Sequence, residues 1–148
     1  MHQNNSGERL MSRNENILLA AFVVALAATL GALYIGEILG QTPCILCWYQ
    51  RIAMFPLVVV LGIAAFRGDE TARFYVLPLA AIGLILAAWH SGLYFGIIPE
   101  PIVPCTKTGP SCTSAAMTFV GVPIPLMSLF SFAAITIMMT LFETGANK

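Results

Sequence analysis

Four long stretches of this chain carry almost no charge, and that pattern limits the folds open to it more than any other feature. Ile17 to Gly36 runs uncharged between Glu15 and Glu37. About 20 apolar residues in helical form cross a bilayer core of roughly 30 Å. A second run, Ile52 to Phe66, lies between Arg51 and Arg67. Alone it would reach only about 22 Å at the helical rise, so its helix must begin near Leu46 or Cys47. That start puts Arg51 at, or just inside, the membrane boundary. A third run, Phe74 to Ile98, has no Asp, Glu, Lys or Arg, carries His90 and stops at Pro99. The fourth, Thr118 to Phe142, has Pro123 and Pro125 near its start, which membrane helices tolerate because neighbours satisfy the freed backbone groups.

Composition agrees. Hydrophobic residues make up 58% of the 148 and charged residues 9%, against about 25% charged in a soluble domain. So few charges could not cover a soluble surface; the chain needs a bilayer as solvent. Seven basic and seven acidic side chains give no net charge, and no cluster suits the phosphate neutralisation on which nucleic-acid binding rests. The expected fold is an all-α integral membrane protein, a bundle of four transmembrane helices in a single domain, residues 1–148. Its spans are expected near 16–37, 46–66, 74–96 and 118–142, with a tail over 1–15 and an outer loop over 97–117.

The excess of Lys and Arg marks the cytoplasmic side. With the N-terminus inside, that side holds Arg9, Arg13, Arg67, Arg73 and Lys148, against Arg51 and Lys107 outside. Both termini are therefore expected in the cytoplasm. Trp48 and Tyr49 at one boundary, and Phe74 and Tyr75 at the other, suit interfacial anchoring. Ala25-Leu26-Ala27 looks like a signal-peptidase site. It lies inside a run long enough to cross, and cleavage would leave an odd number of spans.

This orientation puts all four cysteines at or beyond the outer surface, where disulfides persist. Cys105 and Cys112 sit in a polar loop, in VPCTKTGPSCT, within reach of a soluble protein. Cys44 and Cys47 form a C-x-x-C at the mouth of the second helix, in TPCILCWYQR, where a helix N-terminus favours the thiolate. Residues four apart share a helix face, so Arg51 should lie beside Cys47 and make it the most polarised sulfur. Inert staples are the plainer reading, but so short a C-x-x-C loop adds little chain-entropy stabilisation. Zinc suits four thiolates but not an oxidising compartment. A c-type haem would need C-x-x-C-H, and Trp48 follows Cys47 instead. No metal is expected.

Ionisable groups within a bilayer are costly and mark function by default. Arg51 has the alternative of snorkelling to the headgroups, and His90 that of a satisfied buried histidine. Both are placed in the outer leaflet, His90 roughly 12 Å below the edge, on the side of the C-x-x-C pair. A cation, an imidazole and a polarised sulfur in one lipid-accessible pocket suit reduction of a quinone, which takes up two electrons and two protons. The cation would stabilise the developing oxyanion and the histidine supply a proton. Gln50 is a further candidate for the quinone carbonyl, or a boundary residue.

Pro43 to Arg51, PCILCWYQR, resembles the signature of the DsbB family, including its BdbC-like members. The likeness extends to four spans, a second cysteine pair between spans three and four, and the Gly121–Pro125 start of the last span. It implies a quinone-dependent protein-disulfide oxidoreductase of the bacterial inner membrane, with both cysteine pairs on the periplasmic or extracellular face. It implies redox-active disulfides Cys44–Cys47 and Cys105–Cys112. A DsbA-like thioredoxin-fold partner would attack the second at Cys105, and electrons would pass through a Cys44–Cys112 bond to Cys47 and on to ubiquinone or menaquinone. Arg51 matches the arginine associated with quinone, and His90 matches a third-helix histidine by position. The segment between Cys105 and Cys112 is shorter than in the family's best-known members. A vitamin-K-epoxide-reductase-like protein would place the loop pair before the C-x-x-C, and here it follows. An inert scaffold with structural disulfides is the remaining alternative.

Overall fold

The fold is that of a computed structural model, which describes residues 3–99 and 118–142, with side chains from residue 13 onward. Helix α1, Gln3–Leu33, runs on into one π-helical turn, Tyr34–Ile38. Helices α2, Ile45–Arg67, and α3, Arg73–Tyr94, follow. Strands β1, Thr118–Phe119, and β2, Val122–Pro123, pair antiparallel ahead of α4, Ile124–Leu141. Among the described residues, four helical segments are long and apolar enough to cross a membrane: Arg13–Ile38, Ile45–Arg67, Arg73–Tyr94 and Ile124–Leu141.

The helices close a ring in which α1 packs on α2, α2 on α3, α3 on α4, and α4 back on α1. Helices surrounded by lipid gain little by burying apolar area against each other, so close contact needs small residues at the interface. The buried core supplies them: Ala21 and Ala25 from α1, Ala53 and Ala64 from α2, Ala80 and Ala87 from α3. Phe132, Ile135 and Met139 of α4 fill the middle. The closest fit is at Gly83 of α3, where an added Cβ would lie 2.0 Å from the Phe132 ring. Large apolar side chains such as Ile52, Phe66, Ile85 and Phe130 stay exposed, as a lipid-facing surface requires.

Two element boundaries differ from those read off the sequence. The chain is already helical at Gln3, inside the stretch expected as a tail over 1–15. Helix α4 begins at Ile124 and not at Thr118, because Pro123 and Pro125 lack the N–H that would extend it. Residues 118–123 turn back instead through Val120 and Gly121, at φ 52° and 79°, the paired positive φ of a tight two-residue hairpin. Valine is seldom held there.

The α2–α3 connection is self-contained. Helix α2 ends on left-handed Gly68, whose N–H donates to the Ala64 carbonyl. The Asp69 carboxylate accepts from the backbone N–H and hydroxyl of Thr71, at 2.8 and 2.7 Å, and from the Tyr75 hydroxyl. These bonds, those from Thr71 foremost, hold the Asp69 carboxyl below its ordinary range.

Candidate functional site

The site is built at the N-terminal end of α2. Pro43 leads into Cys44, the N-cap, whose extended backbone (ψ 168°) turns its side chain back over the first helical turn. Its sulfur accepts the Cys47 backbone N–H at 3.3 Å, one of the donors a helix start leaves unpaired. The Cys44 and Cys47 sulfurs lie 3.0 Å apart. A disulfide brings them to about 2.05 Å, so closing the bond needs only a small movement. Both cysteines are buried, packed with Leu46 and Leu93.

His90 of α3 stands behind Cys44. It is wholly buried, its Nε2 is 3.7 Å from the Cys44 sulfur, and its Nδ1 is 3.1 Å from the Gln50 amide nitrogen. Cys44 caps α2 just ahead of the span and sits in a nest of donors. The Cys47 thiol above all, then His90 and the Cys47 N–H, hold the Cys44 thiol well below its ordinary range, while burial pulls the other way. The sequence argument favoured Cys47 as the most polarised sulfur; the capping hydrogen bond falls on Cys44. That argument weighed the Arg51 charge and not the capping hydrogen bonds.

Arg51 is held against α1. Its Nη2 donates 2.7 Å to the Ala32 carbonyl on α1, and its guanidinium lies 5.4 Å from the centroid of Trp48. Gly36, within the π turn, makes room: a Cβ there would come 2.8 Å from Nη2. Single π turns inside helices often mark functional sites.

Cys47, Gln50 and Arg51 share one cavity of about 360 Å³ between α1, α2, α4 and the hairpin. Its other walls are Met54, Phe55, Phe119, Ile124, Met127 and Phe132, a mostly apolar lining with a few convergent polar groups, as small-molecule sites have. Ala27, Ala28, Gly31 and Ala32 form the α1 wall. That stripe of small residues at helical spacing was a legible signal that sequence reading passed over. His90 was expected to face the same pocket. The structure places it outside the lining, on the far side of Cys44.

Cys44, Cys47 and His90 also hold three potential metal-donor atoms within 4.8 Å of one another. The Gln50 contact argues against ligation, since an amide N–H given to Nδ1 leaves the proton on Nε2. Cys105 and Cys112 lie outside the described residues.

Residues 14–142 match the family described as disulfide bond formation protein DsbB. A probable disulfide formation protein of Metapseudomonas resinovorans is 54% identical over 129 residues, covering 86% of this chain and 90% of the relative. Disulfide bond formation protein C of Bacillus subtilis is 43% identical over 129 residues, 85% of this chain and 91% of its own. A probable disulfide formation protein of Deinococcus radiodurans is 43% identical over 134 residues, 84% of this chain and 86% of its own. No solved structure matches.

Proposed function

The chain belongs to the DsbB family of membrane disulfide bond formation proteins, and from that premise we propose that it reoxidises a DsbA-like thioredoxin-fold dithiol and passes the electrons to a membrane quinone. The observation that carries the proposal is the cavity in which Cys47, Gln50 and Arg51 converge. Its volume of about 360 Å³ falls in the range for small-molecule pockets, roughly 300–1,000 Å³. Its donor set suits a carbonyl-bearing ring. A quinone bound there supplies the two-electron, two-proton acceptor.

The chain's own residues divide the remaining work. Arg51, fixed to the end of α1, presents a positive charge where a carbonyl oxygen gains negative charge. In a cavity lined by Met54, Phe55 and Phe132 such a charge is worth more than in water. Gln50 lines the same space, with its amide nitrogen turned to His90. Cys47 lines the cavity, while its neighbour Cys44 lies outside the lining, beside His90. The division matches a relay in which Cys44 exchanges with the Cys105–Cys112 pair and Cys47 faces the acceptor. Each exchange step needs a thiolate and an accessible disulfide sulfur. In this reading the cysteine pairs lie on the periplasmic or extracellular side of a bacterial inner membrane, and both termini lie inside.

Purified protein mixed with a reduced thioredoxin-fold partner and a short-chain quinone should consume quinone catalytically, as followed by its absorbance. Cys47→Ala should reduce turnover to the uncatalysed background. No catalysis by the native chain, or undiminished turnover by the variant, would refute the proposal.

A further inference from the structure

We infer that Gln50 and His90 form a positioning pair whose task is to hold Cys44 as a thiolate, Gln50 fixing the His90 tautomer that donates to the sulfur. The inference rests on the oxidase reading for its purpose, but it concerns the reduced protein alone.

A wholly buried imidazole needs a partner at each nitrogen. Those of His90 are Gln50 at Nδ1 and Cys44 at Nε2, at 3.1 and 3.7 Å. An amide nitrogen donates and cannot accept, so with the amide turned this way Nδ1 is the acceptor and the ring proton sits on Nε2, directed at the Cys44 sulfur. Cys44 already receives the Cys47 N–H at 3.3 Å. A sulfur met by donors on separate sides is arranged as an acceptor, which is the thiolate's role. The opposite tautomer would aim a lone pair at an electron-rich sulfur and complete a Cys₂His metal set. The orientation of one amide therefore decides between a redox thiol and a metal trap.

Among the described residues, the other titratable side chains near this end are Cys47, Tyr49 and Arg51 of α2, Tyr94 of α3, and Tyr34 and Glu37 at the end of α1; α4 has none. None of these, among the described residues, hydrogen-bonds His90. The step served is closure of the Cys44–Cys47 bond. Cys44 enters without a proton, Cys47 gives up its own, one S–S bond forms, and the two electrons pass to the quinone acceptor together with that proton and one from the medium. A thiolate already in place removes one deprotonation from that step.

The test uses the full chain in nanodiscs, reduced, with neither quinone nor partner, so its failure is distinguishable from failure of the oxidase reading. Nitrogen NMR of histidine-labelled protein carrying His2→Asn reads the tautomer directly, and Nε2-protonated His90 is expected. Ultraviolet thiolate absorbance, taken as the difference from Cys44→Ala at mildly acidic pH, reads the sulfur. Gln50→Leu and His90→Phe should each lose roughly half or more of that band, as a lost hydrogen bond to a charged group would cause. His90→Gln keeps an N–H donor and should retain most of it. An Nδ1-protonated His90, a band untouched by Gln50→Leu and His90→Phe, or loss in His90→Gln equal to that in His90→Phe would overturn the inference.

Discussion

Arg51 is held by two features that no motif encodes. One is the Ala32 carbonyl on α1, and the other is the missing side chain at Gly36. The guanidinium's place beside the cavity therefore depends on a glycine 15 positions earlier in the chain. Gly36→Ala should push the cation out of register and raise the KM for quinone about tenfold, since small misplacements of a positioning charge weaken its effect steeply. The KM for the thiol partner should not change. Steady-state kinetics with each substrate varied in turn decides the matter, and an unchanged quinone KM removes Arg51's placement from the account. The C-x-x-C and the i, i+4 relation of Cys47 to Arg51 were legible because both lie within one helix. The His90–Cys44 contact spans 46 residues and depends on how α3 is rotated against α2, which local spacing does not encode.

At the scale of elements, the spans were legible because desolvating charge is the dominant energetic term in a bilayer. The run from Ile17 and the run from Phe74 reappear as α1 and α3 for that reason. The start of α4 was not legible from apolarity, since Thr118 to Pro123 is as uncharged as the helix it precedes. Backbone donors settled it, through Pro123, Pro125 and the Val120–Gly121 turn. Packing between α3 and α4 was hidden as well: nothing in the apolar run from Phe74 marks Gly83, yet the Phe132 ring lies against its backbone. Gly83→Ala should destabilise the bundle by about 1–3 kcal/mol, the usual result of overpacking, measured as a lowered thermal midpoint in detergent. Pairing it with Phe132→Leu should recover most of the loss, because contacting sites couple. Additive losses in the double variant would show that the two residues do not meet.

For the whole molecule, function depends on which way the bundle faces. The cavity, the hairpin and the C-x-x-C lie at one end, and the Arg67–Arg73 connection lies at the other. Lys and Arg near the ends of spans set orientation, and Arg67 and Arg73 flank a connection of only a few residues, where that rule is strongest. Two exposed positions report on the two ends, Glu70 in the α2–α3 connection and Val120 at the hairpin tip. In a background with the four native cysteines replaced by alanine, Val120→Cys should react with a membrane-impermeant maleimide on intact spheroplasts. Glu70→Cys should react only after the membrane is opened. The reverse pattern would put the dithiol in the reducing cytosol, where disulfides are kept open, and the proposed relay would have no oxidising side on which to act. Equal labelling of both positions in sealed cells would indicate mixed insertion. In that case the charge asymmetry flanking α2 and α3 would be too weak to set orientation.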